Sequence, residues 1–235
     1  MREFNEGTGL ERARGDTLYT VSVLEASGSH EKLLRSLKLH LERWTHVDAA
    51  RRAAEDGIVR TNALVAWADH GLDAAVRGFA NEVLRDVGGD KDHRTFKTLF
   101  PEAPNEVLKL GLESELEHAE RLVSVAGKVD VSKTAGAKLA AVKSAMAAGR
   151  DALAQRRKAF LAQGQASLDA ASWKEAANNA RVSAYVQLQG WALANHEERS
   201  YADRFFAQGG HRPTKKAAGE PRGTAAAPKE EVPRG

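Results

Sequence analysis

No cysteine occurs among the 235 residues. Disulfides, thiolate metal sites and cysteine nucleophiles are excluded, and the composition fits a reducing compartment. Nor does any stretch approach the roughly 20 apolar residues that a membrane-spanning helix needs. The opening MREFNEGTGLERARGD mixes charges of both signs without an apolar core, so it does not read as a secretory signal. A cytoplasmic protein without membrane contact is the expectation. Aromatic residues are scarce at 6%, and no strong alternation of apolar and polar residues recurs, which argues against a sheet. A phosphate-cradling glycine loop, a dinucleotide fingerprint and a nucleophile elbow are all missing. No catalytic constellation emerges, so neither a cofactor nor an enzymatic role is expected.

What the chain does contain is alanine, charge and helical periodicity. Hydrophobic residues make up 42% and charged residues 29%, ordinary for a globular chain long enough to bury a core. Alanine has the best helix propensity and lets helices approach closely. The net charge of +3 is confined to residues 211–235, where six basic residues stand against three acidic ones. That tail is rich in Pro, Gly and Ala, with Val232 its one large aliphatic residue. It cannot bury enough apolar surface to offset the entropy of ordering, and disorder is expected there. A duplex-binding domain carries its excess charge on a folded face, so nucleic-acid contact is not expected except through this tail. Residues 1–15 are expected to be flexible as well, leaving one domain over 16–210.

Apolar stripes at helical spacing predict helices over 30–56, 61–86, 104–126, 133–163 and 172–206. Leu33, Leu37, Leu41 and Trp44 share a face, with Gly57 as a stop. Leu64, Ala68, Leu72, Ala75, Phe79 and Val83 share the next, ending at Gly88-Gly89. Trp67, Gly71 and Gly78 form a flanking face open to a neighbouring helix. Pro104 suits a first helical turn. Leu139, Val142, Met146, Gly149 and Leu153 alternate steps of three and four, like a coiled-coil seam, and Phe160 continues it. Ser172 and Glu175 form a capping box for the last helix. The β-branched run TLYTVSVL, residues 17–24, has no partner strand and is read as a short helix. The fold expected is all-α: an antiparallel bundle of four to five long helices with disordered termini.

Three features invite a functional reading. The first is E-x-x-H at Glu115 and His118. In bundles of the ferritin-like di-metal type, two such motifs and two further glutamates surround the ions. Here the second motif is missing. At 100° per residue Glu115 falls at the edge of the apolar stripe and His118 turns toward the flank. Glu55, Glu82 and Glu198 would have to complete such a site, so no metal is expected. The second is a set of polar residues on otherwise apolar stripes, namely Asp48, Glu55, Arg157, Asn195 and Glu198. Each must pair or reach water, and solvation is the expectation. The third is the connection GGDKDHRTFKTLFPEAP over 88–104, longer than bundle connections usually are. Phe96, Leu99 and Phe100 would anchor one turn over a bundle end. Asp92, His93, Arg94, Phe96, Lys97 and Phe100 are the candidate partner-binding residues. Together these observations predict a non-enzymatic scaffold or protein-interaction module with a protein partner still to be identified. The heptad-like seam adds self-association as a homo-oligomer.

Overall fold

The structure, a computed structural model, describes residues 1, 3–5, 7–107 and 111–207. Its elements are helices α1 (Leu10–Ser27), α2 (Glu31–Asp86), α3 (Arg94–Leu99), α4 (Pro104–Val107), α5 (Leu112–Ala126) and α6 (Lys133–Ala194), then a 3₁₀ turn at Ala202–Phe205. The chain is all-α and forms a helical bundle, with no strand among the described residues. Helix lengths depart from expectation. The segments 30–56 and 61–86 are one 56-residue helix, and 133–163 and 172–206 merge into one of 62 residues that stops at Ala194. At 1.5 Å per residue these rods are about 84 Å and about 93 Å long.

Gly57 does not stop α2, and Ser172 caps nothing because it lies in the middle of α6. Apolar spacing continues across both positions, and tertiary packing overrides a single weak helix former. The N-cap of α6 is Ser132 instead, whose hydroxyl accepts from the Ala135 amide at 3.1 Å. TLYTVSVL is helical, but its helix already begins at Leu10, within the segment expected to be loose. Its threonines are fully buried at no polar cost, because Thr17 and Thr20 donate to the carbonyls of Ala13 and Asp16 one turn back. Gly28 ends α1 at φ +60°, the left-handed conformation that a residue without Cβ adopts most easily.

Helices α2 and α6 pair antiparallel along their length. The Cβ position of Gly57 lies 3.9 Å from Ala159 Cβ, and that of Gly78 lies 3.9 Å from Lys138 Cδ. The two contacts are 21 residues apart on both helices, so the pairing has the same register at both points. In α2, Leu33, Leu37, Trp44, Ala54, Thr61, Ala68 and Leu72 are buried on one series of alternating three- and four-residue steps. In α6 the same alternation runs through Leu139, Val142 and Met146, then takes two threes in succession, to Gly149 and Ala152. Such a stammer shifts a coiled-coil seam by a residue. The seam therefore passes through half-buried Arg156 and Ala159, whereas Arg157 and Phe160, expected on it, are exposed.

The stammer sits where α5 meets α6. A Cβ at Gly149 would lie 3.2 Å from Leu112 Cδ1 and 3.3 Å from Leu116 Cδ2. Gly149→Ala is expected to be nearly neutral, since a helix-propensity gain of about 1 kcal/mol offsets a small movement of leucine tips. Gly149→Val overfills the contact and is expected to cost about 2 kcal/mol. Chemical denaturation of both variants checks the pair.

Three cores result. The largest joins α2 from Ala68 to Val83 with Phe96, Leu99, Phe100, α5 and α6 from Ala135 to Ala152. At the other end, Val21, Leu24, Leu33 and Leu37 meet Ala184, Leu188, Phe205 and Phe206, beside a small cluster of Ala13, Trp44, Trp173 and Ala177. Between the ends runs a stalk of α2 and α6 alone, seamed by small residues such as Ala54, Thr61 and Ala166.

Candidate functional site

Three regions present chemistry beyond packing: the loop-capped end, the aromatic end and the stalk. At the loop-capped end, α3 forms because His93 Nδ1 accepts from the Thr95 amide at 3.3 Å as an N-cap. Phe96, Leu99 and Phe100 then drop into the core, with ring centroids of Phe79 and Phe100 5.9 Å apart. The expected apolar anchor is there, but Phe96 and Phe100 are buried and offer no surface to a partner. Asp92, His93, Arg94 and Lys97 are exposed. Asp92 and Lys97 pair at 2.8 Å, which holds the Asp92 carboxyl below its ordinary range and raises the Lys97 ammonium.

Beneath this loop lies a cavity of about 330 Å³. Val76, Leu99, Phe100, Leu122 and Val125 give it apolar walls, and Glu115 lines it from the first turn of α5. Glu115 has no solvent exposure, and neither carboxyl oxygen meets a hydrogen-bond donor among the described residues. Burial pushes it up to about 8, with the Asp73 carboxyl the next cause and Asp69 a further one; Arg77 pulls the other way. Asp69 is itself raised, first by burial and then by Asp73, and its Oδ1 is also buried without a partner. Asp73 is one turn beyond Asp69 on α2, and Arg77, one turn further, stands 3.5 Å from it. Three carboxyls thus converge where α5 crosses α2.

The residues considered for a metal are scattered. Glu55 lies on the stalk with Arg51, at 2.6 Å, while Glu198 is beyond the far end, 2.8 Å from Arg204. Glu82 is bound by Arg85 on its own helix. His118 is turned to Arg121, 3.0 Å from its Nδ1. The di-metal arrangement is not assembled, and no group of three or more His, Asp or Glu among the described residues could hold a metal ion. Glu115, placed by spacing at the edge of the stripe, is fully inside it. Asp69 and Asp73 were not singled out from the sequence. Their signal was available: two acids four apart in AWADHGLDAAV, flanking the buried Ala68 and Leu72.

The other polar interruptions divide. Glu55, Arg157, Asn195 and Glu198 are exposed as expected. Asp48 is half-buried and held by Arg51 at 3.0 Å and Arg52 at 2.8 Å. The opposite end is aromatic. His30 starts α2 at φ 60°, a conformation costly for a residue with a side chain. It is clamped there by Trp191, 4.9 Å away edge to face, and by the Tyr201 hydroxyl, 3.0 Å from Nε2. Burial lowers the affinity of the His30 ring for a proton.

The stalk carries the third feature. Val59, Leu64, Trp67, Phe160, Leu161 and Leu168 are large, apolar and exposed on it, Trp67 to 80%. Leu64, expected inside with Ala68 and Leu72, is therefore outside. Leu64 and Trp67 border a groove floored by Gly71, Ala145, Ala148 and Ala152. The flank predicted to receive a neighbouring helix is present, and at Gly71 a Cβ would meet nothing within 4 Å. No helix of the described residues is long and apolar enough to cross a membrane. The basic tail lies outside the described residues. No family model matches the chain, and neither a curated protein nor a solved structure is similar to it.

Proposed function

We propose that the chain is a non-enzymatic, rod-shaped interaction scaffold that pairs with a second copy of itself along the stalk. The observation that carries this reading is the set of exposed apolar side chains on the stalk, Trp67 foremost. Isolated exposed apolar residues need no explanation, but a concentration of large ones on a two-helix segment marks a surface that associates. A second stalk docked along the groove would turn two helices into four and bury Leu64 and Trp67. A two-fold arrangement would bring the same groove of each copy to the other. The end bundles then stand apart at fixed separation, which suits a protein that holds partners in place.

Sedimentation equilibrium tests this. The wild type is expected to be dimeric at low micromolar concentration. Trp67→Glu, which places a charge where the indole stands, is expected to weaken association at least about 100-fold. Because Trp67 is exposed, the variant keeps its helix content. A wild type that stays monomeric at about 0.1 mM, a weak affinity by the usual scale, would defeat the proposal.

A further inference from the structure

The cavity beneath the α3 loop combines apolar walls with a buried acid that finds no donor among the described residues. We infer that it is a binding site for a small hydrophobic amine, whose ammonium group sits against Glu115 while its apolar body fills the space between Phe100, Leu122 and Val125.

The chemistry follows from what surrounds the carboxyl. A buried carboxylate is stable only when donors or a cation answer it. Around Glu115, α2 contributes Asp69, Asp73 and Arg77, with His70 beside Asp69. Arg77 is directed to Asp73. From α5 itself, His118 is engaged with Arg121. On α6, Arg150 and Arg156 are taken by Glu120 and Glu113 on the outer face of α5. Glu102 of the loop lines the cavity and adds another acid. Arg121, which also lines the cavity, is turned to the His118 ring and the Glu117 carbonyl, so among the described residues the excess charge acting on Glu115, two carboxyls against Arg77, is negative. With only Asp73 beside it, Glu115 is kept neutral by a proton, which occupies the place a ligand cation would take.

An anionic ligand would meet three carboxyls, and a neutral one would leave the acid unanswered. A metal dication would need several converging oxygen or nitrogen ligands, which the described residues do not supply. An ammonium group donates up to three hydrogen bonds and carries the one charge required. The volume of about 330 Å³ is at the small end of ligand pockets, which limits the occupant to a compact alkyl or aryl amine.

Binding carries a proton balance. The ammonium enters charged, Glu115 loses its proton to solvent, and the ion pair Glu115 carboxylate–ammonium forms; no covalent bond changes. Below the Glu115 value of about 8 each bound amine releases close to one proton. Affinity is therefore expected to rise about 50-fold between about pH 6 and about pH 8, where an alkylamine itself remains protonated.

Isothermal titration calorimetry with phenethylamine, and with phenethyl alcohol as its uncharged counterpart, tests the inference. The amine is expected to bind at least about tenfold tighter than the alcohol near pH 8, the difference a charge-assisted pair supplies. It is expected to release a proton, read from titrations in two buffers of different ionisation enthalpy. Glu115→Gln is expected to lose that advantage and the pH dependence while still taking up the alcohol, which shows the cavity intact. Equal affinity for amine and alcohol, an unchanged amine affinity in Glu115→Gln, or no amine binding at all would each overturn the inference.

Discussion

The chain is expected to lose on the order of 3–5 kcal/mol of stability between about pH 5 and about pH 8.5 through Glu115 alone. In the folded state this carboxyl is pushed from 4.5 up to about 8, by burial first and by Asp73 second. The native state thus keeps a proton that the unfolded chain releases. Below the unfolded value both states are protonated and the contribution to stability is whole. As pH rises through 4.5 the unfolded state gains by ionising while the folded state cannot. The loss deepens with pH until the folded carboxyl also ionises near 8, and beyond that it is constant. Ion-paired carboxyls act in the opposite direction and in a different range. Asp48 is held below its ordinary value by its bonds to Arg51 and Arg52, so its support is lost only in acid.

Glu115→Gln keeps the shape and cannot ionise, and its amide can donate to Asp73. Urea midpoints measured across this range, at constant m-value, are expected to fall steeply for wild type and to stay nearly flat for the variant. Near pH 8.5 Glu115→Gln is then the more stable protein, an unusual direction for a substitution at a fully buried position. Parallel slopes for the two proteins would show that the carboxyl finds an answering cation in solution. Because this measurement uses no ligand, it can fail or succeed independently of amine binding.

Glu115 also shows where sequence reading stops. Its position on the stripe was legible from spacing, since 100° per residue places it beside Leu112 and Ala119. What faces it was not, because Asp69 and Asp73 belong to another helix and only the packed structure brings them across. All-α class and the anchoring of the long loop by Phe96, Leu99 and Phe100 rest on periodicity within one element, the helical reading of residues 17–24 on the lack of a partner strand, and they hold. Helix boundaries fail for a related reason. Gly57 and the S-W-K-E sequence at 172–175 are genuine local stop and start signals, but a long partner helix outweighs either. A better signal was an absence: no proline precedes Pro101, and none falls between Pro104 and Pro213. Phe160 was misplaced because a strict heptad extrapolated from Leu139 cannot anticipate two successive three-residue steps at Gly149.

Substitutions in the two end cores are expected to unfold different halves of the rod. Phe79 is fully buried against Phe100 in the loop-capped core, and Phe79→Ala is expected to cost about 3–5 kcal/mol. Trp173 lies 4.5 Å from Trp44, and its indole N–H donates to the His40 carbonyl at 2.7 Å, so Trp173→Ala is expected to cost a similar amount at the other end. Whether either loss spreads depends on the stalk. There the seam offers Ala54, Thr61 and Ala166. Each buried methyl contributes only about 0.8 kcal/mol, and no third helix among the described residues bridges the gap. Neighbouring segments of such a quasi-linear structure are coupled weakly, as repeat arrays are. Amide hydrogen exchange is therefore expected to accelerate in residues 68–86 and 112–152 of Phe79→Ala while 33–44 and 173–188 keep their protection. Trp173→Ala should give the reverse pattern, and thermal unfolding of either variant should become biphasic. Equal loss of protection at both ends would mean that the paired helices transmit stability along their full length, and the stalk would then be a stiff lever between the end bundles rather than a joint.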